Sequence, residues 1–125
     1  MAQSEFRPGR SLVSVGGPPA AAIAAGATVQ FTLQIREAGQ LGQLCVAMWE
    51  TAAPHTDLTN TAQITEITHN NDLLISTNAN GAQFAETSLV SPLFGHIVQV
   101  NDELTVSVLN PTATAATGSV SFTTI

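Results

Sequence analysis

The sequence predicts an all-β chain: a β-sandwich of about eight short antiparallel strands behind an extended N-terminal arm. Three observations carry this. Apolar and polar residues alternate over several stretches, most clearly Val29, Phe31, Leu33 and Ile35 against Gln30, Thr32 and Gln34. Turn-forming residues recur at intervals of roughly ten residues. No stretch has the apolar spacing of an amphipathic helix of normal length. The 125 residues suit one domain and divide into an arm, 1–11, and a sandwich, 12–125.

Arg7-Pro8-Gly9-Arg10 defines the arm, because proline locks one torsion and glycine frees the next. Leu12 to Val15 predicts a short strand, closed by Gly16-Gly17-Pro18-Pro19. Residues 20–25 are ambiguous: alanine favours helix, but so short a run between Pro and Gly cannot sustain one. The alternation at 29–35 predicts a strand with one apolar face. Gln43 to Trp49 predicts a strand apolar on both faces, hence central or covered. Residues 51–61, with Pro54, His55, Asp57 and several threonines, read as a loop. Residues 62–68 predict a strand with Ile64 and Ile67 inward, and Asn70-Asn71-Asp72 a turn into a strand over Leu73 to Ser76. Asn78-Ala79-Asn80-Gly81 reads as a further turn, because Asn-Gly supplies positive-φ positions. A strand over 83–90 would carry Phe84 and end at Ser91-Pro92. Phe94, His96, Val98 and Val100 alternate, Asn101-Asp102 turns the chain, and Leu104, Val106 and Val108 alternate again. A loop from Asn110-Pro111 to Gly118 precedes a last strand with Val120 and Phe122 inward. The pattern leaves connectivity open. A jelly roll of two four-stranded sheets is the first choice and an immunoglobulin-like sandwich the second. No internal repeat points to a propeller or solenoid.

Composition narrows the function classes. Charged residues make up 10% of the chain, against about 25% in typical domains. Lysine and tyrosine are absent, and the arginines are Arg7, Arg10 and Arg36. A net charge of −6 argues against a nucleic-acid face and against a polybasic membrane contact. No run approaches the roughly 18 apolar residues of a membrane span. Glu5 and the Gly-Gly-Pro-Pro interruption do not fit a cleaved signal peptide. One cysteine, Cys45, excludes an internal disulfide and a multi-thiolate metal site. Within Leu44-Cys45-Val46-Ala47-Met48 it reads as a small buried hydrophobe.

No catalytic signature emerges, so neither an enzyme nor a cofactor is expected. His55 and Asp57 share a loop, and the carboxylate could orient the imidazole, but no nucleophile elbow accompanies them. Asp102-Glu103 reads as a pair of solvated charges at a strand start. No metal-ligand spacing links His55, His69 and His96, and Cys45 lies too early for a cupredoxin. The asparagines at 70, 71, 78 and 80 are explained by turns without calcium. Gly16-Gly17-Pro18-Pro19 lacks the ending of a phosphate-binding loop. His96, in phase with Phe94 and Val98, reads as a hydrogen-bonded residue of the interior or an interface.

What remains is the surface. No lysine guards the sheet edges, and the outward strand positions are Gln, Thr and Ser, which lose little on desolvation compared with ions. Such a surface suits packing between copies. Trp49 ends an apolar strand beside a loop, where it would cap the core or anchor an interface. Arg7, Arg10, Trp49 and His96 are the interface candidates.

In size, strand-rich pattern, Thr/Ala/Gly richness and N-terminal arm, the whole chain resembles the small decoration (cement) proteins of tailed bacteriophage capsids, many of them compact β-rich trimers. The resemblance implies a homotrimer that binds the major capsid protein on the outside of the virion head and stabilises the shell through buried area and avidity. It also implies that Arg7 and Arg10 of the arm meet acidic groups on a neighbouring subunit. The alternative is a glycan- or receptor-binding β-sandwich module of a viral fibre or adhesin, with Trp49 and loop 51–61 as its site. Few aromatics and no tyrosine count against it. A single-jelly-roll coat subunit is a third reading.

Overall fold

A computed structural model describes residues 14–75, 79–84 and 93–124. The arm with Arg7 and Arg10, Leu12, Val13, and residues 85–90 of the strand expected over 83–90 lie outside the described residues. The described residues form a β-sandwich of two antiparallel five-stranded sheets, with one 3-10 turn at Gly81–Phe84. The strands are β1 (Ser14–Gly16), β2 (Ala21–Ile23), β3 (Thr28–Gln34), β4 (Gly39–Glu50), β5 (Gln63–His69), β6 (Asp72–Ile75), β7 (Ala79–Asn80), β8 (Ile97–Val98), β9 (Glu103–Leu109) and β10 (Ala116–Thr124).

The first sheet runs β1-β10-β4-β8, with β2 also paired to β10. β1 and β2 are two pieces of one edge. β1 pairs with Phe122–Thr124 and β2 with Ala116–Gly118. Pro18 and Pro19 lie between them and lack the N–H that a continuous ladder needs, which explains the break. The ambiguous segment 20–25 is thus an edge strand followed by a turn at Ala25-Gly26. The second sheet runs β3-β9-β5-β6, with β7 also on β5. The antiparallel pairs are nested: β5–β6 innermost, then β4–β8, then β3–β9, with β1 and β2 on β10 outermost.

The core lies between the sheets. Along the β3–β9 ladder Phe31 pairs with Val106, Leu33 with Leu104 and the half-buried Val29 with Val108, and Phe31, Leu33, Ile35, Leu104, Val106 and Val108 are buried. Leu44, Val46 and Met48 of β4, with Val120 and Phe122 of β10, form the opposing layer. Strict period two fails at two bulges, in the β4–β10 and β5–β9 pairs, and a further register shift lies between Ile67 and Thr68 in the β5–β6 pair. Register shifts between Ile64 and Glu66 in β5, and between Leu41 and Leu44 opposite Phe122 and Thr124. Each extra residue re-phases its strand, so Ile64 and Ile67, and likewise Leu41 and Leu44, all point inward.

Several expectations are corrected. Phe84 is buried, but at the end of the 3-10 turn, and Asn80-Gly81 leads into that turn rather than forming a hairpin. The final loop ends at Ala116, so Gly118 lies inside β10, where an added Cβ would sit 2.6 Å from Ile23 Cδ1. Residues 94–100 are not one alternating strand: Val98 is buried, whereas Phe94 and Val100 are exposed. Leu93, Gly95 and Asn101 adopt positive φ (68°, 84° and 74°), which bends the segment and leaves only Ile97–Val98 paired. The Asn70-Asn71 turn stands as expected. Both residues have positive φ (50° and 75°), the geometry of a two-residue hairpin.

Candidate functional site

Two side-chain assemblies stand out, at opposite ends of β4. From Leu41 to Trp49 the strand spans about 25 Å at a strand rise of about 3.3 Å per residue.

At the Trp49 end the outer face of the first sheet is a trough. Inward Leu44, Val46 and Met48 leave Cys45, Ala47 and Trp49 on the opposite face of β4. Cys45 is therefore half-buried on the outer face and not a core residue. Ser119 and Ser121 of β10 continue this floor, paired to Ala47 and Cys45. β4 is central here but not covered on its second face. Its far edge is taken by the loop, which folds back along the strand. Glu50 N donates to Thr56 O (2.8 Å), Leu58 N donates to Met48 O (2.8 Å), and Trp49 bridges Asp57.

The loop's anchors follow from its sequence. The Thr59 hydroxyl is buried and accepts from Met48 N (3.2 Å). Asp57 Oδ1 accepts from Thr59 N (2.9 Å), the Asx-turn bond that an aspartate two residues upstream can make. Hydrogen bonds from Thr59 hold the Asp57 carboxyl below its ordinary value, so it is ionised at neutral pH. The His55–Asp57 partnership that the sequence allowed does not form. His55 Nδ1 lies 3.2 Å from Glu50 O, and the residue sits at φ 62°. The resulting concavity measures about 610 Å³ and is lined by Trp49, His55, Asp57 and Asn60 above a floor of small side chains. Trp49 thus lies on the outer sheet face, half-buried, and is not a lid on the core.

At the Gly39 end, β5, β8 and β9 converge. Asp102 Oδ2 and His69 Nε2 are 2.7 Å apart, and His69 Nδ1 and His96 Nε2 are 2.9 Å apart, with the two rings edge to face. A neutral His69 that donates from Nε2 to the carboxylate has a bare Nδ1 and accepts from His96 Nε2–H. The carboxylate is further held by Asn70 Nδ2 (2.9 Å) and by Gln99 N (2.8 Å). Hydrogen bonds from the Asn70 amide first, then Gln99 N–H and His69, hold Asp102 down to about 2. Asn70 Oδ1 in turn accepts from Glu103 N (2.8 Å).

Asp102 is therefore the hub of a network, not the solvated charge expected from the sequence. His96 gains its partner from β5, not from an apolar strand face. Nothing local signalled this, because 26 residues lie between His69 and His96. The three groups bind in a line and do not converge on one point. Among the described residues no group of three or more His, Cys, Asp or Glu is arranged to hold a metal ion. No described Ser, Thr or Cys hydrogen-bonds to either ring.

The segments around this network expose four large apolar residues among polar turn residues. Leu73, Phe94, Ile97 and Val100 are 54%, 63%, 60% and 52% exposed, and all belong to the two segments that carry the network. Among the described residues no helix is long and apolar enough to cross a membrane. No protein-family model matches the chain, and no curated protein or solved structure matches it either.

Proposed function

We propose that the chain is a virion structural protein: a decoration protein that binds the major capsid protein on the outer surface of a phage head and stabilises the shell. The observation that carries this reading is the apolar patch of Leu73, Phe94, Ile97 and Val100 on a protein with few charges. Single exposed apolar residues are ordinary, but several on one edge point to a docking surface. The nested strand order supports the same reading. Pairing of the first strand with the last, and inward to a central hairpin, is compatible with the jelly-roll winding used by many capsid proteins. The β8 edge is only two residues long, so contact there rests on side chains more than on strand addition.

In this reading three copies associate around the patch, and the symmetric trimer engages the shell at three points. Light scattering after gel filtration tests it. The expected mass is three times the 12.9 kDa chain. The double variant Phe94→Ser/Ile97→Ser is expected to be monomeric with an unchanged fold. A monomeric wild type, or a trimer indifferent to both substitutions, removes the trimer built on this patch.

A further inference from the structure

We propose that the trough on the outer face of β4 and β10 binds a neutral carbohydrate, a short oligosaccharide with one pyranose ring against the Trp49 indole. This goes beyond the structural role and does not depend on it, since the trough and the apolar patch lie at opposite ends of β4.

The volume of about 610 Å³ lies within the roughly 300–1,000 Å³ of sites that hold compact organic ligands. The lining selects the ligand class. Trp49 offers a flat apolar surface, half-exposed, as the C–H face of a sugar ring requires. Around it stand the Ser119 and Ser121 hydroxyls, the Asn60 amide and the Asp57 carboxylate. Among the described residues, the side chains of Ser119, Ser121 and Asn60 make no hydrogen bond within the chain. They are donors and acceptors without a structural task, of the kind that a polyol ligand can engage. His55, held through Nδ1 by Glu50 O in a left-handed conformation, keeps Nε2 for the same use.

The competing classes fit less well. Among the described residues no Lys or Arg lines the trough, and Asp57 is ionised, so these groups disfavour phosphates, sulfates and acidic sugars. A hydrocarbon ligand would strand the polar groups of an open site. A quaternary amine calls for an aromatic cage, and among the described lining residues Trp49 is the sole aromatic apart from the His55 ring.

Trp49 is also the chain's single tryptophan, so its emission reports on this site alone. The test uses the full chain on an array of neutral and acidic glycans. Tryptophan titrations with maltotriose, cellotriose, lactose, chitotriose and every array hit follow. The expected result is saturable binding of at least one neutral glycan with a shift in Trp49 emission. Asn60→Ala and Ser119→Val should each weaken that binding about tenfold, the loss of one hydrogen bond, with the melting temperature unchanged. Three results overturn the proposal: no neutral glycan bound, binding confined to acidic glycans, or binding unaffected by both substitutions.

Discussion

At the Gly39 end of β4 the side chains of His69, His96 and Asp102 bind one another, and four large apolar residues are exposed alongside polar turn residues. At the Trp49 end an indole stands beside hydroxyls, an amide and a carboxylate that face an open trough. The first arrangement commits its imidazoles and the Asp102 carboxylate to one another and exposes four large apolar residues that can meet a protein surface. The second offers directional groups to a small molecule and little flat area to a protein. One sandwich thus carries two surfaces of different chemistry, because the network spends its polar groups internally and the trough does not.

The contrast requires a rigid trough end, and Asn110 supplies the rigidity. It is fully buried, and Nδ2 donates to Ile23 O (3.1 Å) and Thr114 O (2.8 Å), while Oδ1 accepts from Thr112 N (3.0 Å). One side chain ties the β2–β3 turn to the loop before β10. Asn110→Ala strands buried carbonyls and should cost about 3 kcal/mol, the largest single effect expected here. Urea denaturation measures it, and a loss below about 1 kcal/mol would mean that the loops hold themselves.

Gly118 comes next. It brings β10 close to Ile23 and Phe31 beneath the trough floor. Gly118→Val should destabilise by about 1–3 kcal/mol through overpacking, read as a lowered melting temperature. A neutral result would show that Ile23 swings aside without cost.

The network end should respond to acid instead. Asp102 titrates near 2 when folded and near its ordinary 3.8 when unfolded. The unfolded chain therefore takes up its proton first. The stabilisation is fully present above about pH 5 and is lost as pH falls from about 4 through about 2. Urea midpoints measured across that window should fall more steeply for the wild type than for Asp102→Asn. Parallel slopes would mean that the network contributes nothing to acid stability.

The smallest effect on stability belongs to the patch. Phe94→Ser/Ile97→Ser should shift the monomer's unfolding free energy by no more than about 0.5 kcal/mol per site, because both side chains are already exposed. A larger loss would show that the patch packs against its own chain.

Much of the sandwich was legible in the residues. Alternation located β3, β9 and the inward Val120 and Phe122, since burial of one sheet face imposes period two directly on the sequence. Asn70-Asn71 announced its hairpin because few residues tolerate two successive positive φ angles. The segment 94–100 misled for the converse reason. Its alternation is genuine in the sequence, but backbone bends at Leu93, Gly95 and Asn101 cancel it in space. Trp49 and loop 51–61 stood out as composition, yet not as a trough, because the floor depends on which strand lies beside β4.

By itself the sequence determined the strand class, the inward residues and the poverty of charge, all of which follow from local period and composition. Only the tertiary structure decided that β10 lies against β4, so that Ser119 and Ser121 line the same trough as Trp49, and that β5 ends beside the 96–102 segment, so that His69 bridges Asp102 and His96. Those pairings come from strand order, which is set by how two sheets together bury their apolar faces, and no local window of the chain carries that information.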